Sequence, residues 1–129
     1  MIKNSIVWIR DDFRLQDNPA LSFATNNHEF VSAIYIYDKK DFDNIREAQK
    51  WWISKSLKSL NEDLLKNNIS LEIIEDNQIN FFKKFKSKDI AVYWNKIYEP
   101  QELKKDKEII KELEKNKINY KFFKGNVLN

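Results

Sequence analysis

The chain has 129 residues, no cysteine, one histidine and a net charge of +3, from 23 basic and 20 acidic side chains. These counts exclude disulfide bonds and thiolate metal sites, and they argue against zinc or Ser-His-Asp chemistry. The charge is too small to indicate nucleic-acid binding by itself. With 42% hydrophobic and 14% aromatic residues, residues 1–129 are expected to fold as one domain. No signal peptide or membrane-length apolar segment stands out, which favours a cytoplasmic protein without a membrane partner.

Strand and helix signals alternate along the chain. Apolar, β-branched runs predict five strands, at residues 5–10, 30–37, 69–75, 90–94 and 118–123. Amphipathic spacing and Pro at two starts predict four helices, at residues 19–27, 46–68, 78–86 and 100–117. Strict alternation of this kind predicts an α/β fold: a doubly wound, Rossmann-like, five-stranded parallel sheet with helices on both faces. The expected strand order is 3-2-1-4-5 or its flavodoxin-like equivalent.

Polar side chains follow the first and fourth predicted strands. The loop after the first strand carries Arg10, Asp12, Arg14, Asp17 and Asn18, and the loop after the fourth carries Asn95, Tyr98 and Glu99, with Glu102 one helical turn further on. In the order 3-2-1-4-5 these loops border the crevice where open α/β sheets bind ligands. The alternative is structural: Asp17 and Asn18 cap the next helix, Arg10 and Arg14 form salt bridges within the turn, and Asn95 and Glu99 shape the turn before Pro100.

Two other features have simple expectations. Trp51 and Trp52 are neighbours on a helix and diverge by about 100°, so one is expected in the core and the other half exposed. His28 lies in a turn and is expected to be exposed and inert. With Gly125 as the only glycine, a glycine-rich phosphate loop is excluded.

Four segments resemble the photolyase/cryptochrome family. The first runs from Trp8 and Arg10 through Asp12, Phe13 (usually Leu in the family), Arg14 and Leu15 to Asp17-Asn18-Pro19-Ala20-Leu21. The second, Arg46 to Leu57, contains the adjacent tryptophans, and the third, Val92 to Pro100, is followed by an acidic Asp106. The fourth is Gly125-Asn126-Val127-Leu128. The matches occur in order along the whole chain.

The resemblance implies the N-terminal antenna domain of that family. Such a domain carries a light-harvesting pigment, usually a reduced folate or a deazaflavin, and passes excitation to FAD on a larger helical domain that is absent here. FAD and damaged DNA are therefore expected to bind only through that helical domain. The implied parent activity is that of a deoxyribodipyrimidine photolyase, a C–C lyase of blue-light DNA repair, whereas this chain alone is expected to be inactive and to contain no catalytic residue and no metal site. The residues expected to contact the pigment are Arg10, Asp12, Arg14, Asp38, Arg46, Asn95, Tyr98, Glu99 and Glu102.

Two alternatives remain open. The chain is equally compatible with a fragment of a cryptochrome photoreceptor, because the pocket that distinguishes the two classes lies on the helical domain. A free-standing nucleotide-binding or interaction module of the same fold is the second alternative, since a fold alone does not determine function.

Overall fold

The computed structural model describes residues 2–10, 12–86 and 89–124. The fourth family-like segment, at residues 125–128, and Asp11 lie outside these residues. The strands are β1 (Asn4–Ile9), β2 (Phe30–Tyr37), β3 (Ser70–Glu75), β4 (Ile90–Lys96) and β5 (Tyr120–Lys124). The helices are α1 (Pro19–Asn27), α2 (Lys39–Asp43), α3 (Glu47–Leu65), α4 (Gln78–Lys84) and α5 (Pro100–Lys115).

The five strands form one parallel sheet in the order β3-β2-β1-β4-β5. This order confirms the predicted 3-2-1-4-5 arrangement and the α/β class. In the central register, Trp8 of β1 lies opposite Ile34 of β2 and Trp94 of β4. The chain winds outward from β1 in both directions, so the carboxyl ends of β1 and β4 are neighbours at the point where the winding reverses.

Alternating side chains divide the core between the two faces of the sheet. Val7, Ile9 and Ala33 pack with residues of α1 and α3 on one face. Trp8, Ile34 and Trp94 pack on the opposite face, where residues of α4 and α5 cover them. The central strands are therefore buried on both sides, which explains why they are continuous apolar runs in the sequence.

Most element boundaries lie within one or two residues of the prediction, and the larger differences are an additional helix and an earlier end of the long helix. Residues 38–45, between the second predicted strand and the second predicted helix, contain α2. This helix has five residues, and its N-cap Asp38 accepts a hydrogen bond from the Lys40 backbone N–H at 2.9 Å. The long helix ends at Leu65 because Asn68 adopts a positive φ of 61° and the Ile69 N–H turns back to the Leu64 carbonyl. Asn tolerates this left-handed conformation better than most residues.

The prediction that one of the adjacent tryptophans packs in the core is wrong. Trp51 is 64% exposed and Trp52 is 52% exposed. The stripe of α3 that faces the sheet is centred on Leu57, Leu60 and Leu64. With about 100° between successive residues, both tryptophans lie outside this stripe.

The packing of α3 predicts a contrast between two adjacent leucines. Leu64→Ala removes a fully buried side chain and is expected to lower the free energy of unfolding by about 3 kcal/mol. Leu65→Ala, at a position that is 56% exposed, is expected to change it by less than about 0.5 kcal/mol. Urea denaturation of both variants measures the difference, and equal losses would contradict this orientation of α3.

Candidate functional site

The loops after β1 and β4 meet, as the sequence predicted. Their point of contact is the carboxylate of Asp12. The Asn95 amide nitrogen donates to Asp12 Oδ2 at 2.5 Å, and the Arg10 backbone N–H donates to Asp12 Oδ1 at 2.9 Å. The Asn18 amide nitrogen lies 3.3 Å from the same Oδ2. One carboxylate therefore joins both loops to the start of α1.

Asn95 and Asn18 extend this network to the first turn of α1. The Asn95 side-chain oxygen accepts the Ala20 backbone N–H at 3.0 Å, and its nitrogen also donates to Asn18 Oδ1 at 2.6 Å. Asn18 is the N-cap, since its Oδ1 accepts the Leu21 N–H, and Pro19 needs no partner at the first helical position. The capping role predicted for Asn18 is thus confirmed. Both asparagines are buried.

Arg10 forms a buried ion-pair cluster with α5. Its Nη1 lies 2.9 Å from Oδ1 and 3.0 Å from Oδ2 of Asp106, and its Nη2 donates to Glu102 Oε2. The guanidinium carbon stands 4.4 Å from the centre of the Trp8 ring, in cation–π geometry. Arg10 is 3% exposed, so two carboxylates and an aromatic face replace the water that the guanidinium loses.

Burial raises the pKa of two carboxyl groups in this region. It raises the pKa of Asp12 above its ordinary value of 3.8, against the lowering effect of the hydrogen bonds from Arg10 and Asn95. Burial likewise raises the pKa of Asp106, although the charge of Arg10 opposes the shift. Desolvation therefore outweighs the favourable contacts at both positions.

A groove opens beside this network, on the face of the sheet that α3 covers. It has a volume of about 610 Å³ and lies between α2, α3 and the strands β2 and β3. Its floor and walls are mainly aromatic and aliphatic, and polar side chains stand among them. The lining residues are Tyr35, Tyr37, Lys39, Phe42, Asp43, Ile53, Ser54, Leu57, Lys58, Asn61, Leu71, Ile73 and Glu75.

Phe13 connects the groove to the Asp12 network. Its ring centroid is 5.6 Å from that of Tyr35, which lines the groove, and 5.5 Å from that of Trp52. Phe13 is also the middle residue of a tight turn, in which the Arg14 N–H donates to the Asp12 carbonyl at 2.8 Å. The aromatic wall thus continues from the groove to the residue next to Asp12.

The structure brings four of the nine predicted pigment residues into one hydrogen-bonded region: Arg10, Asp12, Asn95 and Glu102. Their partners are other side and main chains of this protein. The crevice between β1 and β4 is in this way occupied by the chain's own polar groups. Arg10 was expected to form a salt bridge within its own turn. Its ion pairs are instead with Glu102 and Asp106 of α5.

Of the other five predicted residues, Arg14 joins this network through its main chain, because its carbonyl accepts the Asn18 amide N–H at 3.1 Å, whereas Asp38, Arg46, Tyr98 and Glu99 have other surroundings. Asp38 caps α2, and Arg46 is the exposed N-cap residue of α3, so both flank elements that line the groove. Tyr98 and Glu99 are exposed beyond β4, where Lys96 Nζ lies 5.7 Å from the Tyr98 ring centre and Gln101 donates to Glu99. Arg14 is exposed in the tight turn.

The groove itself was not predicted from the sequence. Tyr35 and Tyr37 alternate with buried Ile34 and Ile36 along β2, which is the signal that both tyrosines share a face. The α3 residues at positions 53, 54, 57, 58 and 61 follow the spacing of one helical face. The sequence does not reveal the width of the gap between these two surfaces, because side-chain packing sets it.

The expectation that His28 is exposed is wrong. Its ring is half buried at the opposite, amino-terminal edge of the sheet. Nδ1 lies 2.9 Å from the Ile2 carbonyl oxygen and Nε2 lies 2.6 Å from the Tyr93 hydroxyl. Because a carbonyl can only accept, Nδ1 is the donor to Ile2. His28 thus links the end of α1 to the segment before β1 and to β4.

The described residues contain neither a metal-binding cluster nor a membrane-spanning helix. Within residues 2–10, 12–86 and 89–124, no group of His, Asp and Glu side chains is arranged to hold a metal ion. In the same part of the chain, no helix is long and apolar enough to cross a membrane.

A family model described as DNA photolyase matches residues 5–129. The chain belongs to the DNA photolyase family. It is 31% identical over 125 residues to a deoxyribodipyrimidine photo-lyase of Agrobacterium fabrum, which covers 95% of this chain and 26% of that protein. It is 29% identical over 133 residues to cryptochrome-2 of Arabidopsis thaliana, which covers 99% of this chain and 22% of that protein.

The fold agrees with this membership. An archaeal photolyase from Sulfolobus tokodaii superposes with a TM-score of 0.85 at 27% sequence identity, covering 94% of this chain and 29% of that chain. That structure is described as holding two FAD molecules, with the implication of a novel light-harvesting cofactor. This member of the DNA photolyase family therefore spans about a quarter of the length of these relatives.

The raised pKa of Asp12 predicts how its contribution to stability changes with pH. Folding favours the protonated carboxyl, so the contribution is fully present below about pH 3.8 and is lost as pH rises through the raised pKa. The non-titrating variant Asp12→Asn is the reference. We expect the unfolding free energy of wild type minus that of Asp12→Asn to decrease from pH 3.5 to pH 7 in denaturant titrations. A difference that stays constant or increases would contradict this assignment.

The geometry of the ion-pair cluster predicts that its two carboxylates contribute differently to the free energy of unfolding. Asp106→Leu deprives the buried Arg10 of a carboxylate that is itself buried, and is expected to cost about 3 kcal/mol of unfolding free energy. Glu102→Gln changes a side chain that is 23% exposed, so about 1 kcal/mol is expected. Chemical denaturation at pH 7 compares the two variants. A larger loss for Glu102→Gln would refute this ranking.

Proposed function

We propose that this chain is the antenna module of a photolyase or cryptochrome and that it binds a light-harvesting pigment in the groove between α3 and the β2–β3 half of the sheet. The observation that carries the proposal is the groove itself. Its volume of about 610 Å³ falls in the range of sites for small-molecule cofactors. It also lies at the carboxyl-terminal end of parallel strands, where α/β sheets bind their ligands.

The chemistry of the lining suits a planar conjugated ring system. Tyr35, Tyr37 and Phe42 offer aromatic surfaces, while Leu57 and Ile73 supply aliphatic contact. The polar groups among them suit the hydrogen-bonding edge of a pterin or deazaflavin. When bound, the pigment would absorb light and supply excitation energy, and the protein residues would hold and orient it.

The nine residues predicted from the sequence take different parts in this proposal. Asp38 and Arg46 lie next to the groove-lining parts of α2 and α3, so we assign them to its mouth. Arg10, Asp12, Asn95 and Glu102 are assigned to the frame that supports the aromatic wall. Arg14, Tyr98 and Glu99 stay as predicted contacts to a part of the pigment that projects from the groove.

Family membership supports a proposal for the pigment class and for the partner domain. We propose a reduced folate or a deazaflavin, and the light-harvesting cofactor implied for the Sulfolobus relative makes a flavin a third ligand to test. The acceptor of the excitation would be FAD on a helical domain, which would also bind damaged DNA. That domain corresponds to the part of the relatives that this chain does not span.

One rival function is a nucleotide-binding module of the same fold. Equilibrium dialysis of the purified chain against a reduced folate, a deazaflavin, FMN and ATP distinguishes the two functions. Binding of at least one pigment in preference to ATP supports the antenna function. Binding of ATP without affinity for any of the three pigments would refute it. Separating photolyase from cryptochrome requires an assay of light-driven DNA repair on a chain that includes the helical domain.

A pair of serine variants on α3 tests the groove. Ser54 lines it, whereas Ser59 is an exposed residue of the same helix that does not belong to the lining. Ser54→Phe fills part of the groove and is expected to weaken pigment binding at least about tenfold, while Ser59→Phe stays within about twofold of wild type. Dialysis measures both affinities. Equal affinities of the two variants would place the pigment elsewhere.

A further inference from the structure

Asn95 is not one of the residues that line the groove, yet a continuous series of contacts joins it to one groove wall. Its amide nitrogen donates to the Asp12 carboxylate. Phe13 follows Asp12 in the chain, and the Phe13 ring packs against Tyr35 of the groove. Each step is a hydrogen bond, a covalent link or a ring contact.

The Asp12 carboxylate fixes the position of Phe13 from two sides. On one side it accepts hydrogen bonds from Asn95 and Asn18, and on the other it accepts the Arg10 backbone N–H. The tight turn from Asp12 to Arg14 then leaves the Phe13 backbone little freedom. Loss of the Asn95 amide would leave a buried carboxylate without one of its donors and release this turn.

Phe13 in turn fixes the Tyr35 ring. The two centroids are 5.6 Å apart with the ring planes inclined by 48°, and Trp52 closes on the other side of Phe13 at 5.5 Å with an inclination of 76°. Such aromatic contacts prefer a limited set of geometries. A displaced Phe13 therefore changes the orientation of the ring that a planar ligand would meet in the groove.

We propose that Asn95 is a positioning residue of the groove, acting through Asp12 and Phe13 on the ring of Tyr35. This inference rests on the proposed function for its ligand, but its geometric part applies to the ligand-free chain. It assigns a role in ligand affinity to a side chain that stands outside the groove. It also predicts that Phe13 contributes to ligand affinity through its ring contact with Tyr35.

The test combines Asn95→Ala, Phe13→Leu and their double variant. Leu113→Ala is the matched control: it removes a fully buried side chain of α5 on the opposite face of the sheet, so it lowers the melting temperature without altering the Asp12 network. NMR signals of the Tyr35 ring in the ligand-free chain report the geometry. Dialysis against the pigment that wild type binds reports the affinity.

We expect Asn95→Ala and Phe13→Leu to shift the Tyr35 ring signals and to weaken pigment binding by about tenfold each. The double variant is expected to be no weaker than the weaker single variant, since both residues act along one series of contacts. Leu113→Ala is expected to lower the melting temperature, to leave the Tyr35 signals in place and to keep the affinity within about twofold.

Three results would overturn the inference. The first is a Tyr35 signal in Asn95→Ala that matches wild type. The second is an additive loss of affinity in the double variant, which would mean independent effects. The third is an equal loss of affinity in Leu113→Ala, which would reduce the role of Asn95 to general stability. If wild type binds no pigment while the Tyr35 signals shift as expected, the proposed function fails and the positioning of Tyr35 by Asn95 stands.

Discussion

The hydrogen bonds of the Asp12 carboxylate hold the functional edge of this domain together. β1 and β4 are adjacent strands of one sheet, but the loops that leave them run in opposite directions to α1 and α5. Asp12 bridges this divergence by accepting from Asn95 after β4, from Asn18 at the start of α1 and from the Arg10 backbone. Without this bridge, the side-chain amides of Asn95 and Asn18 and the Arg10 backbone N–H would each lose a hydrogen-bond acceptor at the point where the winding of the sheet reverses.

Much of the fold follows from the sequence. The order of the five strands is predictable because buried parallel strands must be apolar runs and right-handed crossovers permit few arrangements. The start of α1 is predictable from Asn18 and Pro19, whose preferences are local. The missed α2 has five residues and no amphipathic period to reveal it. The prediction for Trp51 and Trp52 is wrong for one of the two residues. Large apolar side chains usually belong to the core-facing stripe of a helix, and both of these lie outside it.

The candidate site was harder to predict than the fold. The sequence correctly places Asp12 and Asn95 at one edge, because carboxyl ends of neighbouring parallel strands must meet. It does not indicate that these polar groups satisfy one another, since mutual hydrogen bonding depends on distances of a few tenths of an ångström. The Arg10–Asp106 pair joins residues 96 positions apart. The groove is a gap between packed surfaces, and its presence depends on how far apart the helix and the strands lie, which no single residue type indicates.

The division of the tryptophans between core and surface gives the domain two separate optical reporters. Trp8 and Trp94 are fully buried, with Arg10 over the first ring and Tyr120 stacked on the second. Trp51 and Trp52 are open to solvent on α3. A water-soluble quencher such as acrylamide will therefore extinguish the red-shifted emission of the helix pair first and leave the blue-shifted emission of the core pair. Events on the surface of α3 and loosening of the interior can thus be followed independently in a single unlabelled sample.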